Sequence, residues 1–364
     1  MSYSFGKNFK VTLFGQSHSE EIGIVIEGIS AGYKINKDLI RKNLERRRPG
    51  KNKLSTARKE DDDFKIVSGE VDGITCGAPI CAIIENKDQK SRDYDNLKDR
   101  PRPSHADYPA YVKFKGFNDI RGGGQFSGRM TAPIVIAGSI AEDLLLKKRI
   151  KIFSRIKSLG DESDIDLNLN DIGEEKLYDL KNGDFPVFDN EVRERMQEEI
   201  LRAKEVGDSI GGIVETFILN MPVGIGEPFF DSIESVISHA VFSVPGIRGI
   251  EFGSGFEAAK MHGSSHNDEY YYENGEVKTR TNNHGGIIGG LSSGMPIIFR
   301  TAVKPTSSIA KTQNTISLKD KKNVNLKIIG RHDPSIVPRA LVAIEMITAL
   351  AILDLVMEGE GWKI

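Results

Sequence analysis

The sequence predicts a mixed fold of the α+β class carried on a single domain. Short strand-like runs rich in Val and Ile recur along the chain. Five longer segments carry helical periodicity. The two kinds do not alternate strictly, as a doubly wound sheet would require. A length of 364 residues allows one large domain or two or three ordinary ones. No linker divides the chain, so residues 1–364 are read as one domain.

The strands are expected at Lys10–Phe14, Gly23–Gly28, Phe64–Val71, Pro79–Ile84, Lys151–Ile156, Ile213–Leu219, Gly249–Phe252 and Pro296–Val303. The helices are expected at Lys37–Arg47, Ala132–Lys148, Asn190–Val206, Ser232–Phe242 and Pro338–Glu358. In the third helix Val192, Met196, Ile200 and Ala203 fall on one face, and Gly207 is a natural stop. Residues 158–183 are acidic and poor in core side chains, which reads as a surface insertion. The runs Ile22–Glu27 and Ile210–Glu215 resemble each other, as two related halves would, or by coincidence.

Composition narrows the function. With a net charge of −2 there is no global cationic field, so any basic site is local and nucleic acid is not an expected partner. The start of the chain lacks the apolar core of a secretion signal. The apolar stretch Leu341–Met357 is interrupted by Glu345 and Asp354, which predicts a buried helix and no membrane span. Cys76 and Cys81 form neither a disulfide framework nor a zinc set, and they suit a reducing, cytoplasmic setting. No metal is expected. His262 and His266 have ligand spacing, but they stand among Gly263, Ser264 and Ser265 and read as a solvated loop.

Six segments point to a site for an anionic small molecule. His18, in Phe14-Gly15-Gln16-Ser17-His18-Ser19, follows a strand directly, where an imidazole can transfer protons near neutrality. Arg46-Arg47-Arg48-Pro49-Gly50 closes a helix. Its arginines complement the helix dipole or lie on a solvated face, but Pro49 and Gly50 also set them at a rigid loop edge. In Arg100-Pro101-Arg102-Pro103-Ser104-His105-Ala106-Asp107 two prolines stiffen the backbone and fix Arg102 relative to His105. Arginine grips phosphate or carboxylate with a bidentate fork, and a histidine beside it can protonate a departing phosphate. Arg121-Gly122-Gly123-Gly124 runs through Gln125, Phe126 and Ser127 to Arg129 and a helix start. It is neither a dinucleotide fingerprint nor a Walker loop, but it makes an anion site of free N–H groups. Gly285–Gly294, including Gly290, with Lys304-Pro305-Thr306-Ser307-Ser308, suits a phosphate-bearing cofactor. Gly330-Arg331-His332-Asp333-Pro334 precedes the last helix, where Asp333 is a base or one half of an ion pair.

In this order the segments resemble the chorismate synthase family, and the likeness runs nearly from end to end. Further landmarks are Ile84-Glu85-Asn86, Gly207-Asp208-Ser209-Ile210-Gly211-Gly212 and Gly226-Glu227-Pro228. The resemblance implies a β-α-β sandwich of the chorismate synthase type, with internal pseudo-duplication of its halves a further expectation. It implies a homotetramer. It also implies a carbon–oxygen lyase at the last common step of the shikimate pathway. There 5-enolpyruvylshikimate 3-phosphate loses phosphate and a C6 proton by 1,4-anti-elimination, with reduced FMN required.

Residue by residue, the resemblance implies that His18 maintains the protonation state of reduced flavin, His105 protonates the leaving phosphate, and Asp333 helps relay the proton. Arg47, Arg102, Arg129 and Arg331 match arginines around substrate or flavin. Gln125, Phe126, Ser127, Gly290, Lys304, Pro305, Thr306, Ser307, Ser308 and Arg331 match FMN-contacting positions. Arg47 and Lys53 match a nicotinamide-nucleotide site, with NADPH serving only to reduce flavin; an external flavin reductase is the other source. The sequence departs from the family pattern at Gln16, Ser19, Lys53, Ser104, Gln125, Phe126 and Met130. The altered loop at 125–130 motivates an alternative, a flavin-binding paralogue with impaired catalysis.

Overall fold

The computed structural model describes residues 3–50, 53–55, 62–87, 97–167, 174–328, 330 and 332–360. The first half contains β1 (Ser4–Phe5), β2 (Lys10–Gly15), β3 (Glu21–Glu27), α1 (Lys37–Arg47), β4 (Phe64–Ser68), β5 (Glu70–Val71), β6 (Ile74–Thr75), β7 (Ile80–Glu85), α2 (Asp107–Lys113) and α3 (Thr131–Lys147). The middle contains β8 (Lys151–Leu159), β9 (Glu162–Ser163), α4 (Glu174–Asn182), α5 (Asn190–Glu205), β10 (Gly212–Leu219), α6 (Ile233–Val241) and β11 (Ile247–Phe252). The last part contains α7 (Gly263–His266), β12 (Tyr270–Glu273), β13 (Glu276–Thr279), β14 (Ile287–Ile288), β15 (Leu291–Ser292), β16 (Ile297–Val303), β17 (Gln313–Ser317), β18 (Lys322–Leu326) and α8 (Val337–Glu360).

Two five-stranded antiparallel sheets enclose a helical layer. One has the order β1-β2-β3-β7-β4 and the other β11-β16-β10-β8-β9. Helix α3 packs on β2, β3 and β7 of the first sheet, and α8 on β8 and β10 of the second. The expected β-α-β sandwich is therefore present. In β3, Ile22, Ile24 and Ile26 are buried at alternate positions, as strand periodicity requires. The similar runs noticed in the sequence lie in β3 and at the start of β10, the middle strands of their respective sheets.

Helices α3 and α8 are apolar nearly all round because both faces are covered. Alpha-8 is long and apolar enough to cross a membrane, but its apolar window is wholly buried within the protein. The two helices approach closely at Gly138, where an added Cβ would stand 2.5 Å from Met346 Cβ. That contact offsets the roughly 1 kcal/mol a mid-helix glycine costs.

All eight expected strands and five expected helices occur, with bounds shifted by a few residues. The run Phe64–Val71 is broken at Gly69, whose φ of +90° ends β4. The acidic stretch 158–183 is more than a surface insertion. Leu177 of α4 is buried with Phe153, Phe217 and Leu219 on the outer face of the second sheet. Within α4 the buried apolar contribution is this one side chain, which composition dilutes. Helix α2 was hidden by its proline and its two tyrosines.

Candidate active site

The loops at one end of the sandwich meet around a cavity of about 560 Å³. The N-terminal ends of α3 and α8 both contribute to its wall, through Gly128, Arg129 and Thr131 and through Arg339, Ala340 and Ala343. Free N–H groups and helix dipoles favour an anion there. Among the described lining residues Arg47, Arg102, Arg129, Arg248, Lys304 and Arg339 are cationic, Asp333 is the one carboxylate, and His18, His105 and His332 are the histidines.

The glycine segment is a backbone turn fitted against both predicted histidines. Gly122, Gly123 and Gly124 have φ of +60°, +85° and +55°, a succession that L side chains resist. Ser17 N–H donates to Gly124 O at 3.1 Å, tying this turn to the loop after β2. His18 is 5% exposed on that loop. A Cβ on Gly123 would lie 3.3 Å from His105 Nε2. Ser127 Oγ then accepts from Arg129 N–H at 3.2 Å and opens the turn into α3.

His105 and Arg102 share one carboxylate. Asp107 lies 2.6 Å from His105 Nδ1, and it accepts from Arg102 Nε at 2.7 Å and from Arg102 NH2 at 2.8 Å. Burial pushes the Asp107 carboxyl upward, but the Arg102 and His105 hydrogen bonds and charges outweigh it and hold the group well below the usual carboxylate range. Arg102 NH1 donates to Ser308 Oγ at 3.2 Å. Lys304 Nζ donates to Ser307 Oγ at 2.6 Å, and Ser307 Oγ donates to Ser104 O at 2.9 Å. Burial, then the nearby Arg248, pushes the Lys304 ammonium below its ordinary value. The segments around 102–107 and 304–308 are thus one hydrogen-bonded wall.

The opposite wall is an Arg–Asp–Arg cluster. Arg47, 1% exposed, donates from NH1 to Asp62 Oδ2 at 2.7 Å, from Nε to Thr131 Oγ1 at 3.1 Å and from NH2 to Gly128 O at 3.2 Å. Arg129 pairs with the other Asp62 oxygen and donates to Asn86 Oδ1 at 3.0 Å. Asp333 pairs with Arg339, whose Nε also donates to Arg47 O at 3.3 Å. His332 Nε2 and Thr306 Oγ1 are buried polar atoms without a partner among the described residues. Burial, then the Arg102 charge, lowers His332 below the ordinary imidazole value, against the opposing pull of Asp333.

The structure gathers His18, His105, Asp333, Arg47, Arg102, Arg129, Gln125, Phe126, Ser127 and residues 304–308 around this cavity. Gly290 lies elsewhere, in the turn between β14 and β15 against Glu227 and Ser232. Lys53 is exposed outside the wall, with its carbonyl accepting from Lys204 at 2.7 Å, so it forms no common site with the buried Arg47 among the described residues. Arg331 lies outside the described residues. Arg46 and Arg47 stand in the last turn of α1, as the dipole reading has it, but the solvated-face reading does not hold. Both turn inward, Arg46 to Glu345 at 3.0 Å and Arg47 to Asp62. His262 precedes the short α7 and is exposed.

Sequence reasoning missed Asp62, Arg339 and the segment Phe242–Arg248. Asp62 was masked by a charged run that reads as solvated. Arg339 stands one helical turn and a half beyond the quoted segment, and its position at the start of α8 was the available signal. Phe242–Arg248 carried a Pro-Gly turn but no further mark.

Comparison with known proteins identifies the family. The family model described as chorismate synthase matches residues 9–357. A chorismate synthase of Pyrococcus abyssi is 46% identical over 361 residues, covering 99% of this chain and 99% of the relative. One of Dehalococcoides mccartyi is 42% identical over 359 residues, covering 99% and 98%. A crystal structure of chorismate synthase superposes with a TM-score of 0.74 at 28% identity, covering 98% of this chain and 94% of that one.

Proposed function

The chain belongs to the chorismate synthase family, and on that premise we propose that the cavity at the ends of α3 and α8 converts 5-enolpyruvylshikimate 3-phosphate to chorismate with reduced FMN bound. The reaction is a 1,4-anti-elimination of phosphate and the C6 proton, the work of a carbon–oxygen lyase. The observation that carries the reading is the charge of the wall: six cationic side chains and one carboxylate line it among the described residues, and with Asp62 and Asp107 counted behind Arg47, Arg129 and Arg102 the cations still outnumber the carboxylates. The substrate brings one phosphate and two carboxylates, and a low-dielectric cationic wall binds such a molecule strongly.

The site also fits a flavin mononucleotide. The cavity has the size of a small-ligand site. Thr306 Oγ1 and His332 Nε2 are buried without partners among the described residues, and a bound polar group would satisfy them. Ser127, Lys304, Pro305, Thr306, Ser307 and Ser308 would hold it, with the backbone at Gln125 and Phe126 beside them. Reduced FMN, when bound, supplies the electron density that helps an allylic phosphate leave.

The protein's own groups supply proton transfer and orientation. Arg102, Arg129 and Arg47 hold the anionic groups of the substrate from two walls. His105 Nε2 delivers a proton to the leaving phosphate oxygen. His18, fixed under Gly122, holds a proton near the flavin. Asp333, oriented by Arg339, accepts the proton lost from C6. We place the enzyme in the cytoplasm as a homotetramer, with NADPH entering only through flavin reduction.

The test is an anaerobic turnover assay with two arms, supplied reduced FMN and FMN plus NADPH. Phosphate release in the first arm supports the reading, and release in neither overturns it. Release in the first alone means that an external flavin reductase serves the enzyme. No observation favours an impaired paralogue, since Arg129 on the altered segment stands in the wall, braced by Asp62 and Asn86.

A further inference from the structure

We infer that Asp107 is a positioning residue that fixes the tautomer of His105, so that Nδ1 keeps its proton and Nε2 alone exchanges protons with the substrate. The inference rests on the reading of His105 as the phosphate's proton donor, and adds the group that makes it one.

Asp107 is 7% exposed, and its carboxylate accepts from Arg102 backbone N–H at 3.0 Å as well as from the Arg102 guanidinium. His105 Nδ1 stands between two groups of opposite character, 2.6 Å from Asp107 Oδ1 and 3.1 Å from Arg102 NH2. A carboxylate can only accept and a guanidinium can only donate. With the proton on Nδ1, the shorter contact is a charge-assisted hydrogen bond and Arg102 is already satisfied by Asp107. With the proton on Nε2, a bare Nδ1 lone pair would face a carboxylate oxygen at 2.6 Å, a repulsive arrangement. The Nδ1–H form is therefore the one the site supports.

The other end of the ring then has a single surrounding. Nε2 faces the turn at Gly123, where a Cβ would stand 3.3 Å away. Gly123 itself offers no side chain there, and Ser127 Cβ is the next group, 3.8 Å from the same point. The charged and titratable groups near the ring are Arg102 and Asp107 on its own segment and Lys304 across Ser307. His18 lies beneath the glycine turn, and His332 and Asp333 stand ahead of α8. Asp107 is the carboxylate bonded to the ring, and its depressed pKa keeps it charged throughout the working range.

In the step, the imidazolium gives its Nε2 proton to a phosphate oxygen. The bridging oxygen leaves with the electron pair of the C–O bond as hydrogen phosphate. The electron pair of the lost C6–H bond completes the diene. Neutral imidazole remains, with Nδ1–H still bonded to Asp107, and a solvent proton restores Nε2.

The test uses the wild-type holoenzyme with FMN and histidine labelled with nitrogen-15, by magic-angle-spinning spectra assigned by difference against His105→Asn. The expected neutral His105 carries its proton on Nδ1; a neutral form protonated on Nε2 overturns the proposal. Asp107→Asn supplies the second readout. Loss of the charge disfavours the imidazolium, so the alkaline limb of kcat moves to lower pH. At a pH on that limb kcat falls on the order of tenfold, KM changes less, and Asp107→Glu restores most of the profile. If the spectra show Nδ1–H and the limb does not move, the tautomer assignment stands and His105 is not the proton donor, so the two readings fail separately.

Discussion

A β-carbon built on Gly122 stands 2.4 Å from both Cε1 and Nδ1 of the His18 ring. The glycine turn is therefore the surface against which His18 is seated, and its φ of +60° adds a second reason for glycine there. Gly122→Ala is expected to move the ring or the turn while leaving the two-sheet core untouched. A displacement of about 1 Å at a reacting group costs on the order of 100-fold in rate. Steady-state kinetics beside a thermal melt checks this, with kcat reduced by about that factor and the melting temperature within a few degrees.

Ser104 occupies the left-handed region, with φ +57°. The family pattern places glycine there, which carries no Cβ penalty, and the penalty for a side chain is roughly 1–2 kcal/mol. The extra unfolded-state freedom of glycine, about 0.5–1 kcal/mol, opposes the gain. Ser104→Gly is expected to stabilise the protein by up to about 1 kcal/mol, read from the denaturant midpoint, with activity retained because the Ser104 carbonyl still accepts from Ser307.

Asp62 is 4% exposed and joins Arg47 to Arg129. Its removal leaves two buried guanidinium groups facing each other without a counter-charge. Asp62→Ala is expected to destabilise by roughly 3–5 kcal/mol, as for other broken buried ion pairs. Equilibrium urea unfolding measures it; a loss below about 1 kcal/mol would mean the cluster is solvated.

Glu345 of α8 is fully buried and is bonded by Arg46 at 3.0 Å and Lys181 at 2.6 Å. Burial raises its carboxyl, but the Arg46 and Lys181 charges and hydrogen bonds outweigh it, so the folded value lies below the ordinary one. A depressed carboxylate contributes stability above its ordinary value, and that contribution is lost as pH falls toward the folded value. The melting temperature should decline as pH falls below about 4. Glu345→Gln should be less stable at neutrality and show a shallower acid decline, both read from melts across pH.

The architecture was legible because the strands and helices carry strong local patterns. Ile22, Ile24 and Ile26 alternate, and Val192, Met196 and Ile200 repeat at helical spacing. Alpha-4 was not legible, since one buried residue, Leu177, decides its place. The site was legible where chemistry and stiffness coincide, as at Arg102 between Pro101 and Pro103 with His105 just beyond. It was not legible where partners lie far apart in sequence. Asp62 meets Arg129 across 67 positions, and Arg46 meets Glu345 across 299. Such pairings are set by the packing of α1, α3 and α8, which no local pattern encodes. The inward turn of Arg46 and Arg47 shows the same point, since a cationic helix end looks alike whether water or a carboxylate awaits it.

Phosphate and flavin absorbance followed together under anaerobic conditions show whether this cationic cavity performs a redox-neutral phosphate elimination supported by reduced FMN. With catalytic reduced FMN and excess 5-enolpyruvylshikimate 3-phosphate, one phosphate per chorismate is expected over many turnovers, with the flavin still reduced at the end. Absence of phosphate release at saturating reduced FMN, or flavin oxidised in proportion to product, would contradict it.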